Sequence, residues 1–151
     1  MHRRHFLAGT CAALLPAPLA AKARATADDT ATVAAHNAGL IAQLRAPGVP
    51  LRPWEWIVVH HTAAEFATLA GIDRYHRTHF GDPLGAEYHF VINNGKKRPS
   101  GLIEAARWRY QEPAWHLFKP ANAPRSIAVC LIGNFEEREL PAPMLDALVE
   151  L

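Results

Sequence analysis

The chain has 151 residues, room for one domain, and its 50% hydrophobic and 20% charged content is that of a soluble globular protein. Sixteen Lys and Arg against 14 Asp and Glu leave a net charge of +2. The basic residues form no stripe, so the balance argues against nucleic acid as a partner.

Residues 1–27 read as a targeting signal. Arg3-Arg4 is the charged start, residues 6–19 are apolar and alanine-rich, and Ala21-Lys22-Ala23, Ala23-Arg24-Ala25 and Ala25-Thr26-Ala27 are overlapping small-x-small cleavage sites. Arg3-Arg4-His5-Phe6-Leu7 resembles the twin-arginine signal, which exports proteins already folded. The expected location is periplasmic or extracellular. Pro16 and Pro18 interrupt the apolar run, and nothing later is long and apolar enough for a membrane helix. Cleavage would remove Cys11 and leave Cys130 alone, so the mature chain could form no internal disulfide.

Residues 28–53 are expected to form an N-terminal helix and linker. Val33, Leu40, Ile41 and Leu44 fall near helical spacing over 32–45, and Ala46-Pro47-Gly48-Val49-Pro50 breaks the helix. Ile57-Val58-Val59 is β-forming and suits a buried central strand over 56–61. That strand runs into His60-His61-Thr62, which would hold imidazoles rigidly at the rim of a sheet, as metal sites require. Residues 65–80 carry Leu69, Ile72, Tyr75, His76, His79 and Phe80 on one helical face; His76 and His79 there read as a packed edge rather than a metal pair. Residues 87–93 form a second core strand, and Asn93-Asn94-Gly95-Lys96 is a tight turn. Residues 97–103 return as an edge strand weakened by Pro99, and 107–113 are loop-like. After Trp115-His116 and a loop with Pro120, Asn122 and Pro124, residues 126–132 make a third core strand and 141–151 a helix behind a proline.

Three segments carry a family resemblance. They are Ile57-Val58-Val59-His60-His61-Thr62-Ala63, Glu87-Tyr88-His89-Phe90-Val91-Ile92, and Trp115-His116 leading to Ser126-Ile127-Ala128-Val129-Cys130-Leu131-Ile132-Gly133. In this order and spacing they resemble the zinc N-acetylmuramoyl-L-alanine amidases, the superfamily of phage lysozyme-type amidases and peptidoglycan recognition proteins. The resemblance covers residues 54–151.

It implies a single mixed α/β domain, a central sheet flanked by helices with a groove along one side. It also implies hydrolysis of the amide between N-acetylmuramic acid and L-alanine in peptidoglycan by a zinc-bound water. The partners would be peptidoglycan or muropeptides, and a monomer is expected. His60 takes the position of a Zn²⁺ ligand, and His61 and Thr62 line the neighbouring wall. Tyr88 takes the place of a strand tyrosine that stabilises the oxyanion or handles protons; where another branch has a glutamate, this chain has Cys130, read here as a small buried hydrophobe. His116 resembles a substrate-wall histidine and Asn122 a peptide-contacting asparagine, although the loop between His116 and Ser126 is longer than usual.

The family's second and third zinc ligands lie beyond the helix that starts at Pro141, where this sequence stops. The preferred account is a truncated amidase, with the C-terminal ligand segment missing. One histidine does not hold Zn²⁺ tightly. Strand alternation turns His61 to the opposite face from His60, which leaves His116 as the candidate to complete a site. The alternative function is a non-catalytic peptidoglycan-binding module. A zinc hydrolase or phosphoesterase of another kind would need paired carboxylates or an Asp-rich cluster, and the sequence offers neither.

Overall fold

The computed structural model describes residues 27–45, 48–114 and 120–151. The targeting signal, apart from Ala27, lies outside them, as do Trp115 and His116. The elements are α1 (Ala27–Leu44), β1 (Trp56–His61), α2 (Leu69–His79), β2 (Phe90–Ile92), β3 (Ile103–Ala105), β4 (Ser126–Leu131) and α3 (Ala142–Glu150), with short 3-10 helices at Arg107–Tyr110 and Pro120–Arg125. The four strands lie in the order β1-β4-β2-β3. β1 and β2 run parallel to β4, and β3 runs antiparallel to β2. This is the mixed sheet flanked by helices that the resemblance implies.

Side chains alternate across the sheet and divide the core in two. Phe90, Ile92, Ile103, Val129 and Leu131 face Met144 and Ala147 of α3, with Leu40 and Leu44 of α1 packed against them. Val91, Cys130 and Ile132 face Ile72 of α2. β4 and β2 are the inner strands; all three residues of β2 and five of the six in β4 are buried.

β1 departs from expectation. It is an edge strand of the described sheet, with Ile57 69% and Val59 47% exposed. A run of β-branched residues reports extended backbone; it does not report lateral position in a sheet. The strand expected over 97–103 is also displaced. Gly95 and Gly101 adopt φ of +85° and +79°, and the Gly101 N–H donates to Asn93 O at 2.8 Å. The turn therefore extends to Leu102, and pairing with β2 begins at Ile103. α2 starts at Leu69 rather than at residue 65, because the Thr68 hydroxyl caps it by accepting the Gly71 N–H at 3.1 Å.

α1 covers the sheet edge opposite β1. Its inward stripe is Val33, Asn37, Leu40, Ile41 and Leu44. Asn37 is buried and treats β3 as a neighbouring strand would: its Nδ2 donates to Gly101 O at 2.9 Å, and its Oδ1 accepts the Ile103 N–H at 3.0 Å. One side-chain amide thus satisfies an edge that would otherwise be open.

The connection from α2 to β2 is held by buried charge. Arg107 is 3% exposed, and its guanidinium donates to Asp82 Oδ2 at 2.5 Å and to the carbonyls of Gly85, Ala86 and Pro113. Asp73 accepts the Ala86 N–H, and His76 Nδ1 accepts the Glu87 N–H. A Cβ on Gly85 would lie 1.8 Å from Asp73 Oδ1, and φ there is +79°, so only glycine fits. His89 follows, fully buried beneath Trp54, its Nδ1 accepting the Ala128 N–H of β4 at 2.9 Å.

Burial, with Arg107 and Arg52 nearby, pushes His89 from 6.5 down to about 4. The folded state therefore holds His89 neutral, while the unfolded chain takes up a proton below pH 6.5. Stability should be level above pH 6.5 and fall by about 3 kcal/mol towards pH 4. Asp73 and Asp82, held below the usual carboxylate range chiefly by Arg77 and Arg107 respectively, add a further loss only in stronger acid. Urea titrations across pH should show the first slope, and His89→Phe should flatten it. Asn37→Ala should cost about 2 kcal/mol in the same assay, because it strands a buried carbonyl and a buried N–H.

Candidate functional site

β1 and β4 pair with Trp56 opposite Ser126, and this register sets His60 beside Cys130. In a parallel pair with matched register, both side chains project to the same face, the one covered by α2. Tyr88 reaches that face from the extended segment before β2. Its backbone is fixed there, because its carbonyl accepts the Arg107 N–H at 3.0 Å. The Tyr88 ring centroid lies 5.9 Å from that of His60 and 5.7 Å from that of His76. The result is a cluster of His60, Tyr88, Cys130 and His76 under the C-terminal end of β1.

Two members of this cluster, Tyr88 and Cys130, are held as neutral groups. Burial raises the Tyr88 phenol above its usual 10, and the Cys130 thiol hydrogen-bonded to it adds to the shift. Burial pushes Cys130 up to about 12, partly offset by Tyr88. Both keep their protons at neutral pH. A protonated phenol can donate a hydrogen bond and cannot serve as a base. Cys130 is fully buried, as expected, but it is more than a small hydrophobe because its thiol meets the Tyr88 hydroxyl.

His61 turns to the other side. Its Nδ1 lies 3.2 Å from Gly133 O, its Nε2 3.6 Å from Glu136, and its ring edge meets Phe135. Thr62 closes the end of β1: its hydroxyl donates to Ala64 O at 2.8 Å and accepts the N–H groups of Ala64 and Gly133. Ala63 between them has φ of 51°, in the left-handed region. Asn122 sits half-buried in the second 3-10 helix, where its carbonyl accepts the Ser126 hydroxyl at 2.8 Å. His116 lies outside the described residues. His79 stacks on Tyr75 at 4.5 Å, but Tyr75, His79 and Phe80 are exposed, so of the face expected to pack only Ile72 and His76 are buried.

The donor set does not amount to a zinc site by itself. His60 supplies an imidazole on a rigid strand end, which suits zinc in type. Among the described residues, however, no three His, Cys, Asp or Glu side chains stand close enough together to hold a metal ion. Cys130 is held as a protonated thiol, His61 faces away, and His76 spends Nδ1 on the Glu87 N–H.

A family model for N-acetylmuramoyl-L-alanine amidase matches residues 50–151. The chain belongs to this amidase family. Among solved structures it is similar to the N-acetylmuramoyl-L-alanine amidase LysC from Clostridium intestinale URNW, with 28% identity, a TM-score of 0.54, and 67% of this chain and 63% of that one covered. The endolysin amidase LysCS from the same organism gives 28%, 0.53, 68% and 63%. Bumblebee PGRP-SA gives 26%, 0.53, 66% and 59%. The chain thus spans about three-fifths of the length of these amidase and PGRP structures. Comparison with curated proteins gave no match. α1 precedes the part of the amidase domain that the family model matches, and no helix among the described residues is long and apolar enough to cross a membrane.

Sequence reasoning missed the coupling of Tyr88 to Cys130. The parallel register and the two residues' shared face could not be read from spacing. The closure role of Thr62 was open to inference, since a hydroxyl before a small-residue break is a local capping signal. Thr62→Val should cost about 2 kcal/mol by chemical denaturation, because it leaves the Gly133 and Ala64 N–H groups unmatched. Thr62→Ser should cost far less. Equal losses would show that the hydroxyl does not close the strand end.

Proposed function

We propose that this chain is directed at peptidoglycan and that its target is the amide joining N-acetylmuramic acid to L-alanine. Family membership supports the wall polymer as ligand. The single observation that carries the reading to this bond is the pairing of His60 with a protonated Tyr88 at the C-terminal end of β1. An amide becomes an oxyanion as its carbonyl is attacked, and a preset donor aimed there lowers the barrier. Tyr88 is such a donor in type: its phenol keeps its proton and lies beside the His60 imidazole, and a substrate oxyanion would draw that O–H away from the Cys130 sulfur it now faces. His60 offers the imidazole that the resemblance assigns to zinc, with the remaining donors coming from outside the described residues. His61, Thr62, His116 and Asn122 are proposed to border the muramoyl-peptide. Export, which the first 27 residues lead us to propose, would bring the chain to a wall substrate.

The second reading is a module that binds peptidoglycan without cutting it. The absence of a three-donor group among the described residues favours it.

Both readings are tested on purified sacculi, by co-sedimentation for binding and by mass spectrometry for released stem peptides, with added Zn²⁺ and with EDTA. Binding with zinc-dependent release is expected for the amidase. Tyr88→Phe should then cut release about 100-fold, the usual cost of losing one oxyanion donor, and leave sedimentation unchanged. Binding with no release under any condition assigns the binding module. Neither binding nor release overturns the function.

A further inference from the structure

The parallel strands β1, β4 and β2 all end on one side of the sheet, where ligands of open α/β sheets are received. Three loops meet there. The turn after β2 is tied to the loop after β1 by Asn94 Nδ2, which donates to Glu65 O at 3.0 Å. The loop after β4 joins the same point, since Glu65 pairs with Arg138 at 2.7 Å and accepts the Asn134 N–H at 3.3 Å. Phe66, next to Glu65, is 66% exposed. Lys96 Nζ lies 5.9 Å and Lys97 Nζ 5.8 Å from its ring centroid. Lys96 is set by Asn94, whose Oδ1 accepts its N–H at 3.0 Å.

This arrangement concentrates charge that the neighbourhood does not neutralise. Glu65 is taken by Arg138, and Glu104, the nearest acid along the chain, by Arg98 at 3.6 Å. Neither Lys96 nor Lys97 has a carboxylate partner among the described residues' ion pairs. The ring quadrupole of Phe66 attracts both ammonium groups, while their mutual repulsion opposes the pairing. An anion placed between them relieves that repulsion.

We propose that Lys96 and Lys97, gathered on Phe66, form a clamp for a free carboxylate of the peptidoglycan stem peptide. The clamp rests on the peptidoglycan reading and names a subsite for it. It lies at the same end of the sheet as His60, and five residues separate His60 from Phe66 along the chain, which keeps their backbones within about 22 Å, inside the reach of an extended muramoyl-peptide. Phe66 is a positioning residue here: it holds the two ammonium groups and does not itself ligate the carboxylate.

The experiment compares binding to native sacculi, to sacculi whose stem carboxylates are amidated by carbodiimide and glycinamide, and to sacculi stripped of phosphate polymers with hydrofluoric acid. The wild-type chain should bind amidated sacculi about fivefold more weakly than native ones, as expected for two solvent-screened ion pairs, and should bind stripped sacculi unchanged. Lys96→Ala/Lys97→Ala should bind native and amidated sacculi alike, at the weaker level. Phe66→Leu should fall between. If the double variant still discriminates between native and amidated sacculi, the clamp is wrong while the peptidoglycan reading stands. Loss of the lysine effect on stripped sacculi would make phosphate the ligand and also overturn the proposal. A wild-type chain that binds no sacculi removes the reading and the clamp together.

Discussion

The pairing register of β1 on β4 is the constraint from which the candidate site follows. A slip of one residue would exchange the two faces of β1. His60 would then turn towards Phe135 and Gly133, and His61 towards Tyr88. Hydrogen bonds beyond both ends of the strand hold the register. The Glu55 N–H donates to Arg125 O at 2.8 Å before β1, and the Thr62 N–H donates to Leu131 O at 3.0 Å after it. The Thr62 hydroxyl adds the Gly133 N–H from the other strand. His60 therefore reaches the α2 side through backbone pairing, with no contribution from its own chemistry.

Tyr88 is brought to meet it by a different device. The chain between α2 and β2 is largely buried at 85–89 but lies outside any helix or strand, so its backbone groups need side-chain partners. Arg107 supplies such partners, binding one carboxylate and two carbonyls within 82–86 and a third carbonyl at Pro113. Such a buried guanidinium stays in place because each of its three nitrogens has an acceptor. Asp73 and His76 then bind successive N–H groups of the same loop. The loop has no regular secondary structure, yet it delivers Tyr88 to a defined position against Cys130 and His60.

The two edges of the sheet are handled in opposite ways. β3 is covered by α1, whose Asn37 supplies the hydrogen bonds of a missing strand. β1 keeps an open side and presents Ile57 and Val59 to solvent. The imidazole at its end is rigid along the strand and lies on the opposite face, half-buried and with its Nε2 closed off from solvent. Rigidity serves catalysis and recognition alike, so the geometry of His60 and Tyr88 is compatible with both functions considered above.

Local chemistry made much of this chain legible from its residues. Residues 65–80 read as helix because apolar positions recur every three to four, and 56–61 and 126–132 read as strand because β-branched residues are frequent there; the structure has helix over Leu69–His79 and strands over Trp56–His61 and Ser126–Leu131. Strand alternation alone already separates His60 from His61. Motif order was enough to name the amidase family. Tertiary structure decided what depends on partners distant in sequence: that β4 and β2, and not β1, are the inner strands, that residues 97–102 turn before pairing, that Asn37 substitutes for a strand, and that Cys130 meets Tyr88. The physical reason is that periodicity encodes which side of an element is apolar, whereas lateral order and register arise from contacts between elements. Those contacts exist only once the sheet has assembled.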